Sequence, residues 1–121
     1  MSMNEEIETL FAGFKVNDQD IPVEFMFYEG HGEPYVTYRQ YDNDASYSAD
    51  DELQGYVTFY DFDVYGTGNI QPIINSVKAL LKGAGWTWQP GRDGPDMFDK
   101  DTEYFHKTVC FAKETQINEI T

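Results

Sequence analysis

Residues 56–85 constrain the fold more than any other part of this chain. The segment begins with alternating apolar and polar residues, as expected of a strand with one buried face, and then breaks at a Gly-Thr-Gly turn at residues 66–68. Beyond the turn, apolar residues recur at three- and four-residue spacing, at Ile70, Ile73, Ile74, Val77, Leu80, Leu81 and Ala84. This spacing predicts an amphipathic helix that covers one face of a sheet.

The ends of this helix are also marked in the sequence. Asn69 is a suitable N-cap, and Pro72 lies in the first turn, where a missing N–H costs no helical hydrogen bond. Gly83 or Gly85 is expected to end the helix. The segment contains no nucleophile–base pair and no phosphate-binding glycine loop, which favours a structural role over a catalytic one.

The remaining patterns predict a second helix and four further strands. Residues 4–14 carry one apolar stripe at helical spacing, whereas residues 21–28 alternate with a period of two. The glycine-containing segment 29–34 predicts a hairpin that pairs residues 21–28 with residues 35–41. The other predicted strands are 53–65, 86–89 and 103–113.

These elements predict an α+β fold with the order α-β-β-β-α-β-β. We expect a mixed or antiparallel sheet of about five strands with two helices on one face. The length of 121 residues predicts a single domain, residues 1–121, with its core at about 4–113 and a polar tail at 114–121.

The charge is strongly unbalanced, with 22 Asp and Glu against eight Lys and Arg, a formal net charge of −14. So acidic a surface repels phosphates and disfavours specific binding of nucleic acid. The chain has no apolar run of about 18 residues and no hydrophobic signal core, so no membrane span or export is expected. A single cysteine, Cys110, excludes an internal disulfide and fits a reducing cytoplasm.

Residues 42–52 contain five carboxylates and no base, and they predict an exposed loop. Four side chains match positions 1, 3, 5 and 9 of a calcium-loop template, but Tyr47 replaces the required glycine and Leu53 the required glutamate. We therefore expect no metal at this segment.

Few other groups could support chemistry. Asp61 and Asp63 lie two residues apart on the long strand and are expected on its solvent side. His31 and His106 have no neighbouring cysteine, and Cys110 is expected to be a small buried residue. We predict no enzymatic activity and no cofactor.

Five segments together resemble a known family. They are IPVEFMFYEG (21–30), PYVTYRQYDND (34–44), YDFDVYGTGN (60–69), AGW (84–86) and DGPDMFDKDTEYFHKTVCFA (93–112). This set is similar to the tail-terminator or tail-completion proteins of long-tailed bacteriophages and prophages, which also occur as head–tail joining or minor structural proteins. The similarity spans roughly residues 10–112.

The resemblance implies an α+β subunit that forms a ring, usually a hexamer. Such a ring caps the tail tube, stops its polymerisation and binds the head connector, so the protein would be made in the bacterial cytoplasm and located in the virion neck. An acidic lumen would let DNA pass without specific binding. We expect exposed strand edges and the 42–52 segment to form the contacts. The candidate interface residues are Asp42, Asp44, Tyr47, Asp50, Asp51, Glu52, Asp61 and Asp63.

Two other classes of function remain open. An acidic DNA mimic that inhibits a nucleic-acid-binding enzyme shares the small size and the charge. A mimic needs carboxylates spaced along an elongated face, whereas here they cluster in residues 42–52 and 93–103, five in each. The third class is an enzyme or metal-binding domain that uses His106 and nearby acids.

Overall fold

The computed structural model describes residues 2–30, 33–49 and 52–116 of the chain. It is an α+β structure in which two helices accompany a mixed sheet of six strands and a separate two-stranded sheet, so the predicted class is confirmed. Within the described residues, no helix is both long enough and apolar enough to span a membrane.

The described residues form two helices, a 3-10 turn and eight strands that range from two to 15 residues in length. The helices are α1 (Met3–Leu10) and α2 (Gln71–Gly83), and a 3-10 turn occupies Pro90–Arg92. The strands are β1 (Lys15–Val16), β2 (Gln19–Asp20), β3 (Val23–Phe25), β4 (Tyr35–Ala49), β5 (Glu52–Gly66), β6 (Thr87–Trp88), β7 (Met97–Phe98) and β8 (Phe105–Gln116). In the large sheet the order is β3-β4-β5-β8-β6, and β7 also pairs with β8.

Both helices pack on the same face of this sheet. Ile7 and Phe11 of the first helical segment join Val77 and Leu81 of α2 in one buried apolar cluster over Phe62 of β5. The other buried strand residues of the cluster are Val36, Tyr38, Tyr60, Val64, Val109 and Phe111. Alternate strand residues therefore supply one continuous core, as the period of two predicts.

A side chain caps the start of α1, whereas the N-cap of α2 is Ile70, one residue after the predicted Asn69, and its side chain makes no cap hydrogen bond. Ser2 caps α1 by accepting a hydrogen bond from the Glu5 N–H, and Asn69 Oδ1 accepts one from Gln71 N–H at 3.1 Å. The α1 helix ends at Leu10, although the apolar stripe in the sequence continues to Phe14. Residues 11–13 form a turn instead of a further helical turn. After α2, Gly85 adopts a positive φ of 91°, a conformation that glycine reaches without strain.

The predicted antiparallel pairing of residues 21–28 with residues 35–41 is wrong. Only Val23–Phe25 form a strand, and β3 lies parallel to β4, with Val23 opposite Val36 and Phe25 opposite Tyr38. Alternation reveals that a segment is extended but does not reveal the direction of its partner. The strand ends at Met26, whose φ is 73°.

The expected loop at residues 42–52 is also wrong. β4 continues to Ala49 and β5 starts at Glu52, so most of this segment belongs to a long antiparallel hairpin. The pairing register of the two strands shifts between Gln40 and Asp42 and again near Tyr47, and such shifts are typical of β-bulges. Asp50 and Asp51 lie outside the described residues.

One edge of the sheet is an interrupted strand. β6 and β7 both pair with β8, but their registers differ by four residues because the chain leaves the sheet at Pro90–Arg92. At the interruption, the Asp93 carboxylate accepts hydrogen bonds from the Cys110 backbone N–H at 2.9 Å and from the Trp88 indole. A side chain thus replaces the main-chain acceptor that the missing strand residue would have supplied.

The C-terminal region also departs from the prediction. The polar tail was expected from residue 114, but β8 pairs with β5 as far as Gln116, opposite Gly55. Residues 117–121 lie outside the described part of the chain.

Candidate assembly surfaces

The sheet face opposite the helices carries ordered cross-strand rows of side chains, which we call the second face. One row is aromatic: Tyr35, Tyr65 and His106 lie directly opposite one another on β4, β5 and β8. The Tyr35 and Tyr65 rings stack with centroids 4.5 Å apart, and the Tyr65 and His106 rings with centroids 4.2 Å apart. Burial raises the pKa of Tyr65 to about 12, so this phenol stays protonated at neutral pH.

The next row places Asp63 between Thr37 and Thr108. Asp63 Oδ1 accepts a hydrogen bond from the Thr108 hydroxyl and lies 2.9 Å from His106 Nε2. Burial disfavours the ionised carboxylate, but these two hydrogen bonds, together with the electrostatic effects of His106 and Arg39, outweigh burial and lower the pKa of Asp63 below its usual value.

The third row contains Arg39, Asp61 and Cys110. Asp61 is only 6% exposed, and the Arg39 guanidinium lies 3.4 Å from its carboxylate. Burial and the nearby Asp63 charge raise the pKa of Asp61, and Arg39 opposes this effect. Burial also raises the pKa of the Cys110 thiol to about 11, in agreement with the expected buried cysteine.

Asp61 and Asp63 lie on the sheet face opposite the helices, as expected, but their side chains are largely buried there rather than exposed to solvent. Their side chains are 9% and 15% exposed and are bonded within the subunit. The sequence correctly places them on one face, but the cross-strand partners that cover them come from β4 and β8. They are poorly placed to contact another molecule.

The group formed by Asp63, His106 and Thr108 does not have the geometry of a catalytic triad. In a triad, one imidazole nitrogen faces the hydroxyl while the other faces the carboxylate. Here the same nitrogen, His106 Nε2, lies near both Asp63 and Thr108, and the hydroxyl donates to the carboxylate. The arrangement stabilises a half-buried carboxylate rather than activating a nucleophile. Among the described residues, no group of three or more His, Cys, Asp or Glu could hold a metal ion.

The other candidate interface residues belong to the far end of the β4–β5 hairpin. Asp42 is paired with Phe59, Asp44 with Val57 and Tyr47 with Gly55. The outer strands stop before this level, since β6 reaches only Ala112, which is paired with Phe59. Among the described residues, β4, β5 and the end of β8 continue beyond this level. β8 stops at Gln116, opposite Gly55, so Ser48 and Ala49 of β4 pair with β5 alone. From Phe59 to Glu52, seven residue intervals along the strand, this extension is roughly 23 Å long.

The first sheet edge, β3, ends in an exposed apolar surface that we call the knob: Phe25, Met26 and Phe27. These side chains are 48%, 55% and 66% exposed. The Phe27 N–H donates to the Phe25 carbonyl at 2.9 Å around Met26, whose φ is 73°. This is the strained form of the γ-turn, and it turns the chain away from the sheet just where the apolar side chains lie.

The opposite sheet edge carries a second exposed apolar surface. Met97, Phe98 and Phe105 are 46%, 50% and 42% exposed, and the Phe98 and Phe105 rings lie 4.8 Å apart. Beside them is a depression of about 620 Å³ between this edge and the start of α2. We call these residues and the depression together the hollow. Its apolar lining is Ile70, Ile74, Met97 and Phe105.

Sequence reasoning missed both surfaces. The signal for the knob is present, because Phe25, Met26, Phe27 and Tyr28 are four consecutive large apolar or aromatic residues. A strand with one covered face buries only alternate residues, so some of these must be exposed. The hollow has no comparable signal, because Phe98 and Phe105 meet only through the pairing of β7 with β8.

Charge is distributed unevenly along the chain. Residues 1–66, which form α1 and β1–β5, contain 15 carboxylates and two basic residues. Residues 67–121, which include α2 and β6–β8, contain seven carboxylates and six basic residues. Five of these seven carboxylates fall in residues 93–103, beside Met97 and Phe98, so the segments around both apolar surfaces are acidic.

Comparison with known proteins gives no family assignment. No family model matches the chain, and no curated protein sequence matches it. Any functional conclusion therefore depends on the sequence resemblance described above and on the surfaces of this molecule.

Proposed function

We propose that this chain is a non-enzymatic structural subunit of a phage or prophage particle, a ring-forming tail terminator. It would cap the tail tube and join it to the head connector. The observation that carries the proposal is the presence of exposed apolar surfaces on the two opposite edges of one sheet. A subunit with two such edges can contact one neighbour on each side, which is the requirement for a ring.

The extended end of the β4–β5 hairpin supports the same proposal. It continues beyond the outer strands and contains Asp42, Asp44 and Glu52. In a ring, six such extensions would place acidic residues along a shared opening or against the tail tube. Carboxylates near a DNA path repel phosphates, so DNA would pass without being held.

The second face supports a role without catalysis. Its carboxylates are paired with His106, Thr108 and Arg39 inside the subunit, and this pairing leaves no carboxylate positioned as a free acid or base. Its aromatic row and buried Cys110 stabilise the sheet that connects the two edges.

Sedimentation velocity of the purified chain across a salt series tests ring formation. Repulsion between subunits of net charge −14 is screened over about 8 Å at physiological salt and over shorter distances at higher salt. We therefore expect a closed oligomer of fixed size whose population rises with added salt. Association that weakens steadily as salt rises would contradict the proposal.

Electron microscopy of phage particles tests the role in the tail. When the gene for this chain is disabled in its phage or prophage, we expect tails of irregular length and heads without joined tails. Supplying the intact chain should restore joined particles. Normal particles in its absence would rule out the function.

The DNA-mimic alternative is tested by a pull-down with restriction and repair enzymes as candidates. The structure gives this alternative less support, because Asp61 and Asp63 are paired within the sheet and do not extend an acidic surface row. Stoichiometric capture of such an enzyme, with no effect on tails, would favour the mimic.

A further inference from the structure

We propose that a depression between the end of α1 and β3 binds an arginine side chain from a segment of another protein. We call it the Tyr38 depression, and its lining includes Phe11, Phe14, Phe25, Tyr38, Glu8 and Glu24. The inference goes beyond the proposed ring, because it assigns a contact with a different protein and does not require the chain to self-associate. Met26 and Phe27 of the knob lie outside this lining, so they stay available for a neighbouring copy.

The walls of the Tyr38 depression are aromatic. Phe11 and Tyr38 line it from the core, while Phe14 is half-buried and Phe25 is 48% exposed. The Phe25 and Tyr38 ring centroids lie 5.6 Å apart, and those of Phe11 and Phe14 lie 5.2 Å apart. Ring faces attract cations, and a planar guanidinium can also stack on them. The volume of about 550 Å³ is large enough for an arginine side chain.

The hydroxyl of Tyr38 is available to a ligand. Tyr38 is only 5% exposed, yet among the described residues no group forms a hydrogen bond with its phenol. Burial and then the charges of Glu8 and Glu24 raise the pKa of Tyr38, so both carboxylates act on this hydroxyl. A largely buried hydroxyl without a partner costs free energy, which an N–H donor from a bound molecule would recover.

The two carboxylates of the depression lack cations. Glu8 belongs to α1 and Glu24 to β3, and in the described part of the chain neither forms an ion pair. Residues 1–38 contain eight carboxylates and one basic residue, Lys15, which already lies 3.7 Å from Asp20. The depression therefore combines aromatic rings, an unbonded hydroxyl and unneutralised negative charge. A guanidinium complements all three, because it carries several N–H donors and can bond a carboxylate through two of them.

The same features decide between possible partners. Nucleic acids and anionic membranes present phosphates, which these carboxylates repel. A second copy has only two arginines, and both are engaged within the subunit. Arg39 pairs with Asp61 at 3.4 Å, and the Arg92 guanidinium lies 3.9 Å from the centre of the Phe59 ring. The arginine therefore comes from a different protein.

A peptide-binding measurement tests the site. The probe is a short fluorescent peptide with Arg-Leu-Arg between Gly-Ser linkers, and its control has citrulline, which is uncharged, in place of each arginine. In fluorescence anisotropy we expect the arginine peptide to bind the wild-type chain about tenfold more tightly than the control. Its affinity should fall as salt is added, because salt screens the attraction. Ring formation should instead increase with salt, so the two proposals can fail separately.

Paired variants test whether the peptide uses this depression. Glu8→Gln/Glu24→Gln should weaken binding of the arginine peptide about tenfold. Asp96→Asn/Asp101→Asn is the matched control, since it removes the same charge at exposed positions outside the depression and should change the affinity little. All four positions are exposed, so folding should be retained. Equal weakening by both double variants would show that only net charge matters and would overturn the proposal.

Tyr38→Phe separates binding from stability. The variant keeps the ring and loses only the hydroxyl, so the arginine peptide should bind about fivefold more weakly. The urea midpoint should not fall, because that hydroxyl has no partner within the described part of the chain. A lower midpoint with unchanged peptide affinity would mean that the hydroxyl serves the fold and would contradict its assigned role.

Two further measurements identify other occupants. If N-acetylarginine amide displaces the peptide at a concentration equal to that of unlabelled peptide, the site takes a small cation and not a protein segment. If Glu8→Gln/Glu24→Gln alters the self-association of the chain in sedimentation velocity while Asp96→Asn/Asp101→Asn does not, the occupant is a second copy. Either result would overturn the proposal, as would a wild-type chain that binds the arginine and citrulline peptides equally.

Discussion

The two faces of the large sheet are made by the same strands but are stabilised in different ways. On the helix face, Phe62 and Val64 of β5 are fully buried in an apolar core beneath α1 and α2. On the second face, the intervening residues Asp61 and Asp63 are also largely buried, but beside polar partners from β4 and β8. The first face depends on close packing, and the second depends on completed hydrogen bonds.

This difference determines how each face should respond to substitution. Removing atoms from a packed core loses transfer free energy and leaves a cavity. Removing one partner from a polar row instead leaves another buried polar group unsatisfied, and its cost depends on pH and on the remaining partners. Substitutions on β5 can therefore separate the two mechanisms within a single strand.

The largest effect is expected from Phe62→Ala on the helix face. Phe62 is 0% exposed and contacts the rings of Phe11, Trp86 and Phe111. We expect a loss of about 3–5 kcal/mol in the free energy of unfolding, measured by urea denaturation. The control Phe27→Ala, at an exposed position, should change stability by only about 0.5 kcal/mol. Equal losses in the two variants would show that packing does not dominate this face.

The next largest effect is expected from Asp93→Ala at the interrupted edge. This change removes the acceptor of the Cys110 backbone N–H and of the Trp88 indole. Because hydrogen bonds to charged groups are strong, we expect a loss of about 2–3 kcal/mol in the free energy of unfolding. Hydrogen exchange should also be faster at the Cys110 amide.

The control for this edge is Asp96→Ala. Asp96 is 94% exposed and only pairs with Lys107 at 3.5 Å, so its removal should cost about 0.5 kcal/mol or less. If Asp96→Ala destabilises the protein as much as Asp93→Ala, then the hydrogen bonds that the Asp93 carboxylate accepts in place of a main-chain carbonyl are not what stabilises this edge.

A smaller effect is expected from Asp63→Asn on the second face. The amide keeps one acceptor but loses the charge that the His106 and Thr108 hydrogen bonds stabilise, so we expect a loss of about 1–2 kcal/mol in the free energy of unfolding at pH 7.

The effect of Asp63→Asn should depend on pH. The pKa of Asp63 is lowered on folding, so the stability that Asp63 contributes is present above the unfolded pKa of about 3.9 and is lost as pH falls through the folded value. The difference between the variant and the wild-type chain should therefore shrink below about pH 4. A difference that stays constant to pH 2.5 would contradict the assignment.

The sequence predicted the helix face better than the second face. The stripe from Ile70 to Ala84 and the alternation around Phe62 are local signals, and the structure confirms the helix and its position. Burial of Asp61 depends on Arg39, which is 22 residues away and meets it only through the pairing of β4 with β5. No local pattern contains that information.

The same limit explains the errors in strand assignment. Residues 42–49 are rich in Asp, Asn and Ser, which have low strand propensity, yet they form β4 because β5 supplies a long partner. The direction of β3 depends on the turn at Met26, where a non-glycine residue adopts a positive φ that composition does not predict. The apolar run of the knob is visible in the sequence, whereas its position at the end of a parallel edge strand and the meeting of Phe98 with Phe105 depend on strand pairing. The sequence could therefore indicate exposed apolar surfaces but could not place them.

The smallest effect is expected from Asp61→Asn, the neighbour of Asp63 on the same strand. Burial and the Asp63 charge raise the pKa of Asp61, so its ionised form opposes folding above that pKa, in contrast to Asp63. The variant loses the ion pair with the half-exposed Arg39, a loss of about 0–1 kcal/mol, but it also removes this charge penalty. We expect its stability at pH 7 to lie within about 1 kcal/mol of the wild-type chain.

The pH dependence of this variant provides the sharper measurement. As pH falls through the raised pKa, the wild-type chain regains the stability that ionised Asp61 cost, whereas Asp61→Asn has no such group. The stability of the variant relative to the wild-type chain should therefore decline from pH 7 to pH 4 in urea unfolding, while that of Asp63→Asn should rise toward the acid end. Opposite slopes from two carboxylates on one strand would establish that partners, rather than burial alone, determine the energetics of the second face. A parallel response of the two variants would show that Arg39 and His106 play equivalent roles.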